Sequence, residues 1–148
     1  MKHCLIVDQG DLSDIVKYDS LVNAYKSLFK MDLDLLFFLK KHPVQSVKYK
    51  DYYIIFKDCT ELVDYVPVEL FFQYIDGCVV APYCSSLMIA SGLPGITAIS
   101  LLDILDWYDM SFKEEVKKNM MKQSYGKVLF PCDIKELEYI IKNRYNNE

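Results

Sequence analysis

Three groups of polar residues in this chain have side chains suited to a charged ligand. His42 follows an apolar run, and histidine is the side chain that most readily gains or loses a proton near neutral pH. Ser85 and Ser86 stand between an apolar run and a helical pattern, where hydroxyls and free helix N–H groups suit an anion such as phosphate. Glu69 lies at the start of another helical segment, where the helix dipole favours an acidic side chain.

Short apolar runs predict the strands that would position these residues. The six runs are Cys4–Val7, Leu35–Leu39, Tyr52–Phe56, Cys78–Ala81, Ile96–Ile99 and Lys127–Phe130. Strands without polar alternation are buried on both faces, which predicts a mainly parallel sheet with helices on each side. Right-handed crossovers then give a doubly wound, Rossmann-like α/β fold of about six strands. The length of 148 residues predicts a single domain over 1–148.

Polar residues at the helix starts predict where the helices begin. Ser13 or Asp14 is expected to cap the first helix, and Pro67 to begin a helix that runs to about Tyr74. Ser85 and Ser86 are expected at the next N-cap. Ser111 is the expected cap of a further helix, with Glu114 as its capping-box partner, and Asp133 is expected to open the last helix, to about Arg144.

The fold class also predicts where a ligand would bind. In open parallel sheets the ligand lies outside the carboxyl ends of the strands, near the point where the strand order reverses. The residues that follow the expected strands are 8–10, 41–43, 57–58 and 82–86. We therefore expect these four segments to surround the site. Asp8 alone would also suit a receiver-type domain, but the acidic cluster and later lysine of that class are not evident.

Composition excludes several classes of protein. The net charge of −4 disfavours binding to a nucleic-acid backbone, and no Walker loop or dinucleotide fingerprint occurs. Five cysteines without a C-x-x-C spacing, beside two histidines, predict free thiols in a reducing compartment and no metal site. No apolar run approaches the roughly 20 residues that span a bilayer, so no transmembrane segment is expected.

Three motifs in a fixed order carry a resemblance to a known family. His42-Pro43 follows one predicted strand, Pro67-Val68-Glu69 opens a helix, and Ser85-Ser86 follows another predicted strand. The set resembles the donor-binding C-terminal domain of bacterial GT-B sialyltransferases and polysialyltransferases, over roughly residues 4–102.

The resemblance implies a substrate and a role for each motif residue. The substrate would be a CMP-activated sugar, usually CMP-sialic acid, transferred to a glycan hydroxyl in bacterial surface polysaccharide or lipooligosaccharide synthesis, with no other cofactor and no metal. His42 would contact the donor phosphate and act in catalysis, Ser85 and Ser86 would bind the same phosphate, and Glu69 would hold the ribose hydroxyls. The implied location is the cytoplasm, with a peripheral association with the membrane left open.

The chain departs from that family in one respect. Family members carry an N-terminal domain whose D/E-D/E-G motif supplies the catalytic base, and no such triplet occurs in this sequence. The sequence therefore leaves open whether the chain is an enzyme by itself. A separate N-terminal domain or a second copy of the chain would complete it. The alternatives are a non-catalytic nucleotide- or protein-binding module, or a related GT-B domain that uses another nucleotide sugar.

Overall fold

A parallel β-sheet forms the centre of the protein. The computed structural model describes residues 2–10, 12–42 and 51–146, and the side chains of all but the last two of these. The strands are β1 (Lys2–Val7), β2 (Leu35–Lys40), β3 (Thr60–Glu61), β4 (Gly77–Ala81) and β5 (Ile96–Ser100). Their order is β3-β2-β1-β4-β5, and every neighbouring pair is parallel. The chain therefore builds one side of the sheet outward from β1, then crosses to the other side between β3 and β4.

Helices cover this sheet in two contacting groups. The α-helices are α1 (Tyr18–Phe29), α2 (Ser85–Ser91), α3 (Met110–Gln123) and α4 (Ile134–Asn146), and the 3₁₀ helices are η1 (Tyr52–Phe56) and η2 (Val68–Tyr74). Helix α1 contacts α4 and η1, whereas α2 contacts η2 and α3. The sequence-based α/β class with a parallel sheet is confirmed at this level.

The central strands are buried as their apolar runs predict. Every residue of β4 is buried, and Cys4, Leu5 and Ile6 of β1 are fully excluded from solvent. A strand that is buried on both faces needs no polar alternation, which is why β1 and β4 were recognisable from sequence. Cys4 and Cys78 are opposite each other in the register of these strands, and both are free thiols.

The expected third strand, Tyr52–Phe56, is wrong. This segment is the 3₁₀ helix η1, in which Tyr52 and Phe56 turn inward. The Phe56 ring lies 4.9 Å from that of Tyr25 and 5.8 Å from that of Phe29, both on α1. Aromatic and β-branched residues suit either state in a short run, so packing on α1 decided between them. The third strand is instead Thr60–Glu61, two exposed polar residues without an apolar signal.

The expected sixth strand, Lys127–Phe130, is also not formed as a strand. Leu129 makes a single parallel bridge to Ile99 on β5, through Ser100 N to Leu129 O at 2.9 Å and Leu129 N to Ala98 O at 3.0 Å. The described residues thus contain five strands, with one isolated bridge at the position expected for the sixth.

Three of the expected helix caps are also wrong. Helix α1 begins at Tyr18 after Lys17 rather than at Ser13 or Asp14, and α2 begins at Ser85 after Cys84. The N-cap of α3 is Asp109, which accepts a hydrogen bond from Phe112 N, so Ser111 lies inside the helix. Each of these sites offers several polar residues, and local sequence does not choose among them.

The start of the last helix is as expected. The Asp133 carboxylate accepts a hydrogen bond from Glu136 N at 2.8 Å, and α4 begins at Ile134. The Glu136 side chain in turn accepts a hydrogen bond from Cys132 N. A hydrogen bond with the Cys132 side chain, and then this backbone bond, lower the pKa of Glu136. This reciprocal arrangement resembles a capping box.

Candidate functional site

A cavity of about 620 Å³ opens at the carboxyl edge of the sheet. Its walls are residues that follow β1, β2 and β4, together with the segment between β3 and η2. These lining segments are 7–9, 40–42, 64–69 and 84–86. The cavity therefore lies beside β1 and β4, the two strands between which the strand order reverses, where open parallel sheets bind their ligands.

All four residues selected from the sequence line this cavity: His42, Glu69, Ser85 and Ser86. They come from three different segments, and Glu69 and Ser86 are in direct contact. The Ser86 hydroxyl donates a hydrogen bond to the Glu69 carboxylate at 3.0 Å. Ser86 is buried whereas Ser85 is exposed, so the two serines have different environments despite being adjacent. The structure therefore pairs Ser86 with Glu69 and leaves Ser85 facing the solvent.

His42 reaches the cavity because β1 and β2 end side by side. Val7 is opposite Lys40 in the register, and Asp8 N donates to Lys40 O at 2.9 Å. His42 stands two residues beyond that pair and is partly buried. Pro43, the second residue of the sequence motif, lies outside the described residues.

The start of α2 forms another part of the wall. The helix has seven residues, and its N-cap residue Cys84 has an extended backbone and makes no side-chain capping hydrogen bond. Burial raises the pKa of the Cys84 thiol, against the opposing effect of the nearby N–H groups of Leu87 and Ser86. A protonated, half-buried thiol is a poor nucleophile, so it serves as part of the wall.

Asp8 is a polar residue of this cavity whose role the sequence did not reveal. It is 3% exposed, and its carboxylate accepts hydrogen bonds from Tyr52 Oη at 3.0 Å, Tyr53 Oη at 2.5 Å and Gly10 N at 3.3 Å. Burial is the main cause that raises the pKa of both tyrosines, so both phenols stay protonated and donate. Asp8 therefore anchors η1 to the end of β1.

Two lysines at the end of β2 hold the wall opposite α2. Lys40 is 5% exposed, and its ammonium donates to Val63 O at 2.9 Å and to Asp64 O at 2.8 Å. Lys41 Nζ lies 3.2 Å from the Glu61 carboxylate and 4.5 Å from the centre of the Tyr53 ring. Both lysines thus connect the end of β2 to β3 and to the residues just after β3. Lysine side chains are usually exposed, so only the fold reveals these contacts.

The segment between β4 and α2 is held by polar contacts from two other strand ends. The Gln9 side-chain oxygen accepts a hydrogen bond from Tyr83 N, and Ser100 Oγ donates to Pro82 O at 2.5 Å. These contacts link the ends of β1 and β5 to the turn that leads into α2. They fix the position at which Ser85 enters the cavity wall.

Lys57 and Asp58 do not belong to this site, contrary to the sequence-based expectation. They line a separate cavity of about 850 Å³ between α1 and η1, together with Ile54 and Cys59. The difference arises because Tyr52–Phe56 is a 3₁₀ helix, so the residues after it do not emerge at the carboxyl edge of a strand.

The cavity has mixed charge and no cluster suited to a metal. Its walls contain both basic side chains and carboxylates: Lys40, Lys41 and His42, together with Asp8, Asp64 and Glu69. Across the part of the chain that the structure describes, no group of three or more His, Cys, Asp or Glu residues is arranged to hold a metal ion. None of the helices in that part is long and apolar enough to cross a membrane.

Comparisons with known proteins place no further constraint on the site. No protein family, no curated protein and no solved structure matches this chain.

Proposed function

We propose that this chain is a doubly wound, Rossmann-like domain that binds a CMP-activated sugar, as the donor half of a sialyltransferase-type GT-B glycosyltransferase. One observation carries the proposal: residues from each of the three motifs of that resemblance, far apart in sequence, line one cavity at the carboxyl edge of a parallel sheet. Sialic acid is the proposed sugar, and a glycan hydroxyl in bacterial surface polysaccharide is the proposed acceptor.

The phosphate would lie between His42 and the first turn of α2. Transfer of the sugar breaks its bond to the phosphate, so negative charge grows on the departing CMP. An imidazolium at His42 and the Ser85 hydroxyl would stabilise that charge, and His42 could also donate a proton to it. The lysines of the wall bring positive charge to the same side of the cavity.

The ribose would lie against Glu69. A carboxylate is a natural acceptor for the two hydroxyls of a ribose. Because the Ser86 hydroxyl donates a hydrogen bond to this carboxylate, we propose that Ser86 positions Glu69 as well as bordering the phosphate site.

The acceptor hydroxyl needs a general base, and we propose that another domain or a second copy of the chain supplies it. In this proposal the chain holds the donor and the leaving group, while the partner orients the acceptor on the far side of the cavity. The reaction would take place in the cytoplasm, free or at the membrane periphery.

Calorimetric titration with CMP, UMP and AMP tests the proposal. We expect selective binding of CMP and a loss of at least tenfold in affinity for His42→Ala and for Ser85→Ala. Glu69→Gln should weaken CMP more than it weakens 2′,3′-dideoxy-CMP, because only the former has the ribose hydroxyls. Ser91→Ala is the matched control, since Ser91 lies at the far end of α2 and its hydroxyl contacts Met88 O.

The titration also distinguishes the alternatives. A folded protein that binds none of the three nucleotides would refute the donor site and favour a protein-binding module of the same fold. Preference for UMP or AMP would retain a nucleotide-sugar site but exclude the CMP-linked donor.

A further inference from the structure

Tyr65 is an exposed aromatic residue in the wall of the cavity. It lies between β3 and η2, and 86% of its surface is accessible to solvent. Apart from the imidazole of His42, its ring is the one aromatic group among the described residues that line the cavity. The other walls are carboxylates, lysines, small polar groups and aliphatic side chains. Tyr65 thus offers a flat ring that the surrounding structure does not use.

The segment that carries Tyr65 is fastened to the sheet just before this residue, and η2 begins just after it. Leu62 N donates to Leu39 O at 2.8 Å, and the Lys40 ammonium donates to the carbonyls of Val63 and Asp64. Beyond Tyr65, the Leu70 N–H bonds to Pro67 O as η2 begins. The backbone just before Tyr65 is therefore held at the cavity edge, while the Tyr65 side chain is exposed to solvent.

A fixed tyrosine at a cavity edge suits a planar ligand. The side chain has two rotatable angles, so it loses little entropy when a ligand orders it. Stacking of a nucleic-acid base on an aromatic side chain contributes about 1–3 kcal/mol, as judged by alanine substitution. Because 86% of the residue is exposed, stacking on a ligand would replace few contacts of the ring with the protein.

We propose that Tyr65 stacks on the base of the bound nucleotide and that the Lys40 contacts position the segment for that purpose. The inference rests on the proposed nucleotide site and adds a residue that none of the sequence motifs includes. Stacking tolerates any base, so Tyr65 would supply affinity, and the choice among bases would come from other groups.

Binding of CMP to Tyr65→Phe and Tyr65→Ala, with Tyr74→Ala as control, tests this inference. Tyr74 is similarly exposed, at 71%, but it does not line the cavity. We expect Tyr65→Ala to weaken CMP roughly 5- to 150-fold, the range that corresponds to the stacking energy, and Tyr65→Phe to stay within threefold of the parent. Tyr74→Ala should bind as the parent does.

Nuclear magnetic resonance gives a second readout that affinity alone does not. The H5 and H6 protons of bound cytosine should shift upfield in the parent and in Tyr65→Phe, because an aromatic ring lies over the base, and this shift should vanish in Tyr65→Ala. CMP binding that is equally tight in Tyr65→Ala, or an upfield shift that persists there, would overturn the inference and leave the nucleotide site intact. A parent protein that binds no nucleotide would overturn both.

Discussion

A buried carboxylate organises the floor of the candidate site. Asp8 at the end of β1 holds the hydroxyls of Tyr52 and Tyr53, and the Tyr52 ring lies 5.0 Å from that of Tyr53 and 5.5 Å from that of Phe56. One acidic side chain thereby joins a strand of the sheet to a 3₁₀ helix of the surrounding layer. This contact couples the stability of η1 to the integrity of the cavity.

We expect Tyr52→Phe to lower the free energy of unfolding by about 1.5–3 kcal/mol, because a buried carboxylate would lose a hydrogen-bond donor. Urea unfolding of the variant measures this loss. Tyr139→Phe is the matched control, since its side chain is exposed on α4 and should change stability by less than about 0.5 kcal/mol. A Tyr52→Phe protein as stable as the parent would mean that the Asp8 contact contributes nothing.

A second residue-scale prediction concerns the ion pair at the opposite edge of the sheet. Lys2 Nζ lies 3.0 Å from the Asp76 carboxylate, and this hydrogen bond lowers the pKa of Asp76 below its ordinary 3.8. A carboxyl group whose pKa is lowered by folding stabilises the protein above its unfolded pKa, and that contribution is lost as the pH falls through the folded pKa.

The parent should therefore be more stable than Lys2→Met at pH 7, and the difference should shrink below about pH 4. Urea midpoints at pH 7 and pH 2.5 measure it, and Asp76→Asn should show the same pattern. The effect is small because 61% of the Asp76 side chain is exposed. A difference between parent and Lys2→Met that is unchanged at pH 2.5 would assign the role of Lys2 to packing.

Among the elements, the pairing of β1 with β4 depends on one glycine. Gly77 begins β4 with a φ of +156°, and a Cβ atom there would meet the carbonyl oxygen of His3 at 1.9 Å. The neighbouring Asp76 also exchanges hydrogen bonds with His3, through His3 N to Asp76 O and Asp76 N to His3 Nδ1. The backbones of β1 and β4 are therefore too close at this point to leave room for a side chain at position 77.

We expect Gly77→Ala to lower the free energy of unfolding by at least about 3 kcal/mol, because backbone atoms rather than a flexible side chain must move. Gly92→Ala is the control: Gly92 has a helical backbone, and its nearest contact to an added Cβ is 3.6 Å, so that variant should be nearly neutral. Thermal and urea unfolding of both variants measure the contrast. Equal stabilities would show that the two strands separate easily at this point.

The elements also show why some parts of the fold were predictable and others were not. The central strands β1 and β4 contain the buried apolar runs Cys4–Val7 and Cys78–Ala81, the pattern typical of strands that are covered on both faces. Segment Tyr52–Phe56 is also a short apolar run, but it is a 3₁₀ helix that packs on α1, where Phe56 contacts Tyr25 and Phe29. Strand β3 is two exposed polar residues that pair with β2, so no apolar run marks it in the sequence.

For the whole molecule, the position of the cavity follows from the strand order. The strand order reverses between the neighbouring strands β1 and β4, so the residues that follow these two strands lead away in opposite directions. Segments from across residues 7–86 meet at this one edge. Binding of a ligand in the cavity would therefore stabilise the sheet as a unit.

If CMP binds there as proposed, it should raise the melting temperature of the whole protein. A ligand at 100 times its dissociation constant adds about 2.7 kcal/mol to the free energy of unfolding, and for a chain of this size that corresponds to a rise of roughly 5–10 °C. Differential scanning calorimetry measures the rise, and the His42→Ala protein should show much less of it. A melting temperature unaffected by millimolar CMP would argue against the site.

The sequence by itself determined the α/β class, the central strands and the edge of the sheet at which polar residues collect. These features follow from the hydrophobicity of short segments and from the general geometry of parallel strands. Only the tertiary structure decided that Ser86 donates a hydrogen bond to Glu69, that Asp8 accepts hydrogen bonds from two tyrosines, and that Lys40 holds the segment before Tyr65. Each of these contacts joins residues 17 to 45 positions apart, and such pairings depend on how the elements pack rather than on the residues near each side chain.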